Sequence, residues 1–280
     1  MRELSGKTAF ITGGAGGIGF GMARAFTADG MRVALADLGE ADLTELPEGS
    51  AMNVRCDVTD VASVRAAVAD VTERFGSIDV VCANAGIGGG GGHVAADEYD
   101  VWNRVLRVNL DGVVHTVKST VPAMRARGTG GHVVITSSVA GVTALPFEFG
   151  AYTTSKFAVR GLGESLRLSL AEEGIGVSIL CPGLTNTGIL DEANDDGNVE
   201  FERVPGAMDP VEVGWAVVRG IRENAPYIFT HGEFADEFRS LFDEIVAAVP
   251  GDQAVPPDRA NFERGRRELC DRLRHLPAIG

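Results

Sequence analysis

Short apolar runs alternate with longer amphipathic stretches along most of this 280-residue chain, and that alternation leaves few folds open. The runs are Thr8 to Ile11, Arg32 to Ala36, Met52 to Cys56, Val80 to Cys82, His132 to Thr136, Val177 to Cys181 and Tyr227 to Phe229. Between them lie amphipathic, helix-like stretches: Ile18 to Asp29, Val61 to Phe75, Tyr99 to Met124, Tyr152 to Glu173 and Pro210 to Glu223. Alternation of this kind gives strand–helix–strand units, which build one parallel sheet with helices on both faces. Seven strands in sequence favour one domain over two. Hydrophobic residues make up 45% of the chain and aromatics only 6%, with Val, Ala, Leu and Gly dominant, which suits buried parallel strands.

A glycine-rich turn, Thr12-Gly13-Gly14-Ala15-Gly16-Gly17-Ile18-Gly19, follows the first run directly. Strand, glycine turn and helix together aim backbone N–H groups and a helix N-terminus at a phosphate, and glycine permits the close approach. The position after the first strand turns a weak motif into an expected dinucleotide site and makes the α/β fold a doubly wound seven-stranded Rossmann sheet. Asp37, with Leu38 after it, ends the second run. A carboxylate there accepts hydrogen bonds from the adenosine ribose and repels a 2′-phosphate. No Arg or Lys follows it or lies in the glycine turn, which favours NAD over NADP. A turn residue or helix cap is the alternative for Asp37. Asp57, followed by Val58, ends the third run, where a carboxylate can meet the adenine amino group. Asn84-Ala85-Gly86 ends the fourth, where small residues let a cofactor lie across the sheet edge; Asn84 is expected to cap the loop as well.

Tyr152 and Lys156 are four residues apart in a helical stretch and so project from one face. The expectation is that the ammonium lowers the phenol's pKa toward neutrality, allowing proton exchange near pH 7. Ser137 and Ser138 close the preceding strand; one hydroxyl is expected to bond backbone and the other to serve the site.

Taken jointly and in this order, the pieces resemble the short-chain dehydrogenase/reductase family, over residues 4 to about 230. They are Thr12 to Gly19, Asp57, Asn84-Ala85-Gly86, Asn109, Ser138, Tyr152-x-x-x-Lys156, Pro182-Gly183 and Thr187. The resemblance implies a catalytic tetrad of Asn109, Ser138, Tyr152 and Lys156. Tyr152 would be general base or acid, and Ser138 would hydrogen-bond the substrate oxygen. Lys156 would bind the nicotinamide ribose, and Asn109 would interrupt its helix and hold a water that joins Lys156 to solvent. It implies cofactor binding by Gly13, Gly17, Ile18, Gly19, Asp37, Leu38, Asp57, Val58, Asn84, Ala85, Gly86, Tyr152, Lys156, Pro182, Gly183, Thr185 and Thr187. The segment Pro182 to Thr187 would close over the nicotinamide. It also implies a homodimer or homotetramer, built first through the fourth and fifth helices and then through the last strand and sixth helix.

The expected activity is NAD-dependent interconversion of a hydrophobic secondary alcohol and its ketone. Val139, Leu145, Pro146, Phe147, Phe149, Leu184 and Leu190 are the expected apolar wall, and a weaker resemblance points to bacterial enzymes of aryl and alicyclic alcohols. An NADPH-dependent ketone or acyl reductase and a non-catalytic dinucleotide-binding protein are the alternatives. Residues 1–230 form the expected dehydrogenase domain, with a substrate loop over 187–209, and 231–280 a C-terminal helical extension of that domain. Its helices span Glu233 to Val249 and Arg259 to Leu276. A net charge of -14 argues against nucleic acid or an anionic membrane as partner. Cys56, Cys82, Cys181 and Cys270 make no C-x-x-C pair and read as small hydrophobes. His93, His115, His132 and His231 share no spacing, so no metal or catalytic role is assigned to them. No signal peptide or membrane-length apolar run is evident, so a cytoplasmic location is expected.

Overall fold

A computed structural model of the chain describes residues 1–89, 99–144, 149–188, 206–251 and 255–277. Strands β1 (Thr8–Thr12), β2 (Arg32–Asp37), β3 (Ala51–Arg55), β4 (Val80–Ala83), β5 (Gly131–Thr136), β6 (Ile175–Cys181) and β7 (Tyr227–Phe229) form one sheet. Its order is β3-β2-β1-β4-β5-β6-β7, and every adjacent pair is parallel. The chain winds outward from β1 in both directions. The loops after β1 and β4 therefore diverge and open a crevice at the strands' carboxyl ends.

Alternate strand residues feed opposite layers, as strand geometry requires. Phe10, Val81 and Val133 point into a core with α2 (Val61–Phe75), α4 (Gly112–Arg127) and α5 (Gly150–Leu170). Ala9, Ile11, Val80 and Cys82 point into the other, with α1 (Gly17–Ala28) and α6 (Pro210–Glu223). Asp60 and Asp209 cap α2 and α6 by accepting from Ala62 N at 2.9 Å and Val211 N at 2.8 Å.

The helical stretch from Tyr99 to Met124 is not continuous. α3 (Tyr99–Leu106) passes through a π-helical turn at Arg107–Asp111 before α4 begins. Beyond β7, α7 (Ala235–Ala247) and α8 (Pro257–Arg274) bury no residue completely. α8 lies at the end of α5, where Arg167 donates to the Arg274 carbonyl at 3.3 Å and Arg272 pairs with Glu172 at 3.2 Å. No helix among the described residues is long and apolar enough to cross a membrane. The four cysteines are free, and three of them are buried.

α1 and α6 cross in contact at Gly21 and Gly214. A Cβ on Gly214 would stand 2.4 Å from the Gly21 carbonyl oxygen. Backbone cannot move aside as a side chain can, so Gly214→Val is expected to force the helices apart. The expected loss is about 1–3 kcal/mol of stability, read as a lower midpoint in denaturant unfolding. An unchanged midpoint would contradict the close crossing.

Candidate active site

The crevice at the strands' carboxyl ends is a groove of about 560 Å³. Its floor near β1 depends on glycine. Gly13 (φ +65°) and Gly17 (φ +49°) adopt left-handed backbone, and a Cβ on Gly13 would sit 2.8 Å from Ala85 Cα. Gly19 lies beneath the turn, where a Cβ would meet the Gly13 carbonyl oxygen at 2.0 Å. Ile18 and Ala85 line the groove above it. Asn84 stitches three strands together: Nδ2 donates to Thr12 O at 3.1 Å, and Oδ1 accepts from the Thr136 hydroxyl at 3.0 Å. Asn84 thus both caps the loop and lines the groove, the two places expected for it.

At one end stand two carboxylates. Asp37 accepts from Ala15 N at 3.0 Å through one oxygen and from Gly39 N at 3.2 Å through the other. The turn role is therefore real, yet each oxygen retains a lone pair on a groove-lining residue. Leu38 beside it is 59% exposed. Asp57 accepts from the Thr59 hydroxyl and Thr59 N, both at 2.8 Å, and these bonds hold its carboxyl below the usual range. Val58 is buried, and its carbonyl lies 2.8 Å from His115 Nδ1. Sequence reasoning missed Arg55. Register sets it opposite Asp37, and its guanidinium donates to Leu38 O at 2.9 Å.

At the other end α5 supplies Tyr152 and Lys156, which share a face as the spacing predicts. Lys156 Nζ stands over the Tyr152 ring, 5.3 Å from its centroid, and donates to Thr136 O at 3.2 Å. Ser137 is the serine that bonds backbone, donating to the Lys156 carbonyl at 2.8 Å. The Ser138 hydroxyl accepts from Ala140 N at 3.1 Å and lies on the Tyr152 side, where it favours the ionised phenol. Asn109 is fully buried at the π-helical turn, where an inserted residue breaks the helical register. Its Oδ1 accepts from Ile87 N at 2.8 Å, and its Nδ2 donates to Ile87 O at 3.0 Å and the Ser155 hydroxyl at 3.1 Å. Ser155 donates in turn to the Tyr152 carbonyl at 2.6 Å. A Cβ on Gly86 would come within 3.3 Å of both Asn109 Oδ1 and Lys156 Nζ, so glycine is what lets these groups converge.

The expected acidification of Tyr152 by Lys156 is corrected. Burial pushes the phenol above its ordinary value, and the nearby Ser138 hydroxyl offsets this only in part. Lys156 is 3% exposed, and burial lowers its pKa to about 8. The sequence gives the proximity of the two groups but not their shared desolvation, which disfavours both charged forms.

That lowered value has a consequence for stability. Between pH 8 and the ordinary 10.5 the unfolded chain binds more protons at this position than the folded one, so the contribution of Lys156 to stability rises with pH across that window. Lys156→Met is expected to be more stable than the native chain at pH 7, by roughly 1–3 kcal/mol. The advantage shrinks as pH rises from 8 toward 10.5, measured by urea unfolding at several pH values. A pH-independent difference would contradict the burial argument.

Pro182 and Thr187 border the groove, and Thr187 lies against Gly17, where a Cβ would meet its side chain at 3.2 Å. Gly183 and the buried Thr185 form the backing of that segment, Thr185 donating to Gly183 O at 3.2 Å. Phe149 meets Tyr152 edge-on at 6.3 Å, and Val139 is buried. Leu145, Pro146, Phe147, Leu190, His93 and most of the 187–209 loop lie outside the described residues. His132 is wholly buried with Nε2 2.9 Å from the Ser178 hydroxyl, and burial pushes its pKa to about 3. No group of three His, Cys, Asp or Glu residues among those described is placed to hold a metal ion.

The residues present fit a nicotinamide dinucleotide. A backbone cradle that a Cβ would fill opens onto the N-terminus of α1, carboxylates stand at one end, and a hydroxyl-and-ammonium cluster stands at the other. The family profile described as short chain dehydrogenase matches residues 7–198. A 3-alpha-(or 20-beta)-hydroxysteroid dehydrogenase of Mycobacterium tuberculosis is 37% identical over 232 residues, covering 80% of this chain and 86% of that protein. A Novosphingobium aromaticivorans structure assigned to the short-chain dehydrogenases shares 35% identity with a TM-score of 0.83, covering 99% of each chain. A Burkholderia phymatum short chain dehydrogenase/reductase solved in complex with NAD shares 29% identity with a TM-score of 0.78, covering 91% of this chain and 100% of that one.

Proposed function

The chain belongs to the short-chain dehydrogenase/reductase family, an oxidoreductase family of alcohols and ketones, and from that premise we propose an NAD-dependent enzyme that interconverts a hydrophobic secondary alcohol and its ketone. The observation that carries this reading is the Tyr152 ring with Lys156 Nζ 5.3 Å from its centroid, both lining the same groove as the glycine turn.

Gly13, Gly17, Ile18 and Gly19 form the pyrophosphate cradle, and Asp37 with Leu38 holds the adenosine ribose. Asp57 and Val58 bracket the adenine, Asn84-Ala85-Gly86 the middle of the groove, and Pro182, Gly183, Thr185 and Thr187 the nicotinamide end. When bound, the nicotinamide supplies the hydride acceptor or donor, and its oxidised ring carries a positive charge. Tyr152 takes the alcohol proton in oxidation and returns it in reduction. Ser138 donates to the substrate oxygen and steadies the charge that develops there. Lys156 holds the nicotinamide ribose and, with the ring's charge, counters the burial that opposes phenolate. Asn109, braced by Ile87 and Ser155, holds α4 against α5 at Tyr152 and is the expected holder of a water leading from Lys156 to solvent.

Asp37 supports NAD over NADP, because a 2′-phosphate would meet its charge. Arg55 is the observation that favours the NADP reading, and its bond to Leu38 O keeps it engaged with backbone. We place the enzyme in the cytoplasm as a homodimer or homotetramer, paired through α4 and α5 and then through β7 and α6.

The test is a screen of hydrophobic secondary alcohols and ketones with NAD and NADP, followed by nicotinamide absorbance. Turnover with a preference for NAD is expected. Tyr152→Phe should still bind NADH while its kcat falls about 10²- to 10⁴-fold. An active Tyr152→Phe, or no turnover by the native chain with either cofactor, would contradict the proposal.

A further inference from the structure

His231 follows β7 at the start of the C-terminal segment, and its ring sits directly on Gly183. A Cβ on Gly183 would stand 2.7–3.0 Å from three ring atoms, so only glycine admits the imidazole there. Gly183 N lies 3.1 Å from His231 Nδ1, and Leu184 O lies 3.0 Å from His231 Nε2. A backbone N–H can only donate and a carbonyl can only accept. Nδ1 is therefore the acceptor and Nε2 carries the proton, which fixes one neutral tautomer. The Thr230 hydroxyl, 2.7 Å from Nδ1, must then donate as well.

The clamped segment leads to the candidate catalytic hydroxyls in one step. Pro182, next to Gly183, offers its carbonyl to Val139 N at 3.0 Å and to the Ser138 hydroxyl at 3.5 Å. Ser138 in turn lies near enough to the Tyr152 phenol to favour its ionised form. A second brace runs from α7 to the same region, where Thr143 donates to Glu237 at 2.7 Å. The C-terminal segment thus holds both the Gly183–Leu184 backbone and Thr143, which follows Ser138 in the chain.

We propose that His231 is a positioning residue: by clamping Gly183 and Leu184 it sets the Pro182–Thr185 segment for the nicotinamide half of the cofactor and holds Ser138 in reach of Tyr152. This rests on the dehydrogenase reading above. The adenosine half is held far from His231, by Asp37 and Asp57, so loss of the clamp acts on one half of the cofactor only.

The experiment compares His231→Leu with His231→Asn, whose Oδ1 can accept from Gly183 N as Nδ1 does. His231→Leu is expected to bind ADP-ribose within twofold of the native chain, to lose at least tenfold in kcat, and to exchange amide hydrogens faster over residues 182–187. His231→Asn should recover most of the turnover and the protection. Unchanged kcat and exchange in His231→Leu would overturn the assignment, as would an ADP-ribose affinity that falls in step with kcat, the mark of general unfolding. A native chain without any nicotinamide-linked turnover would instead bring down the dehydrogenase reading and this inference with it.

Discussion

A half-buried phenol and a buried ammonium on one face of α5 set the terms for the rest of the molecule. A charge taken out of water is costly unless neighbouring groups replace its hydration. Lys156 has the Thr136 carbonyl, and Tyr152 has the Ser138 hydroxyl. Neither is a full counter-charge, so burial still favours the neutral form of each. The groove is in this sense arranged for a charge to arrive from outside. On the proposed reading, a cationic ring bound beside the phenol would bring its titration into a useful range, which would give the cofactor an electrostatic role beyond hydride exchange.

The scaffold makes this placement possible through close approach. Gly13 against Ala85 and Gly183 against His231 are contacts a methyl group would block, and Gly86 against Asn109 and Lys156 is one it would crowd. Each brings together loops from different strands at the carboxyl edge of the sheet. Asn84 then locks β1, β4 and β5 at the point where the winding reverses. Where phosphate and ribose would lie, the floor of the groove is backbone, tied to its neighbours by Gly13 N donating to Ala36 O at 2.9 Å and by the Asn84 side chain.

Much of this was legible in the sequence. The seven strands follow from apolar runs too short for helices, and most helical bounds follow from periodicity, because both patterns record which faces are buried. The glycine turn, the Tyr152–Lys156 pair and a backbone-bonding serine, Ser137, also appear where the pattern places them. What escaped was partnership across long separations. Ser155 joins Asn109 over 46 residues, and His231 reaches Gly183 over 48. Arg55 belongs to the third strand rather than the second, yet counting both strands to their ends sets it beside Asp37. The sign of the Tyr152 shift escaped for another reason: spacing on a helix reports distance, while titration also depends on desolvation.

The most direct measurement of the central claim is an ultraviolet difference titration of tyrosinate, with and without saturating NAD, using Tyr152→Phe to assign the signal among the chain's three tyrosines. The account predicts that without cofactor Tyr152 ionises only above the ordinary tyrosine range, and that NAD moves one phenolate per chain to distinctly lower pH. A Tyr152 titration that NAD leaves in place would contradict it.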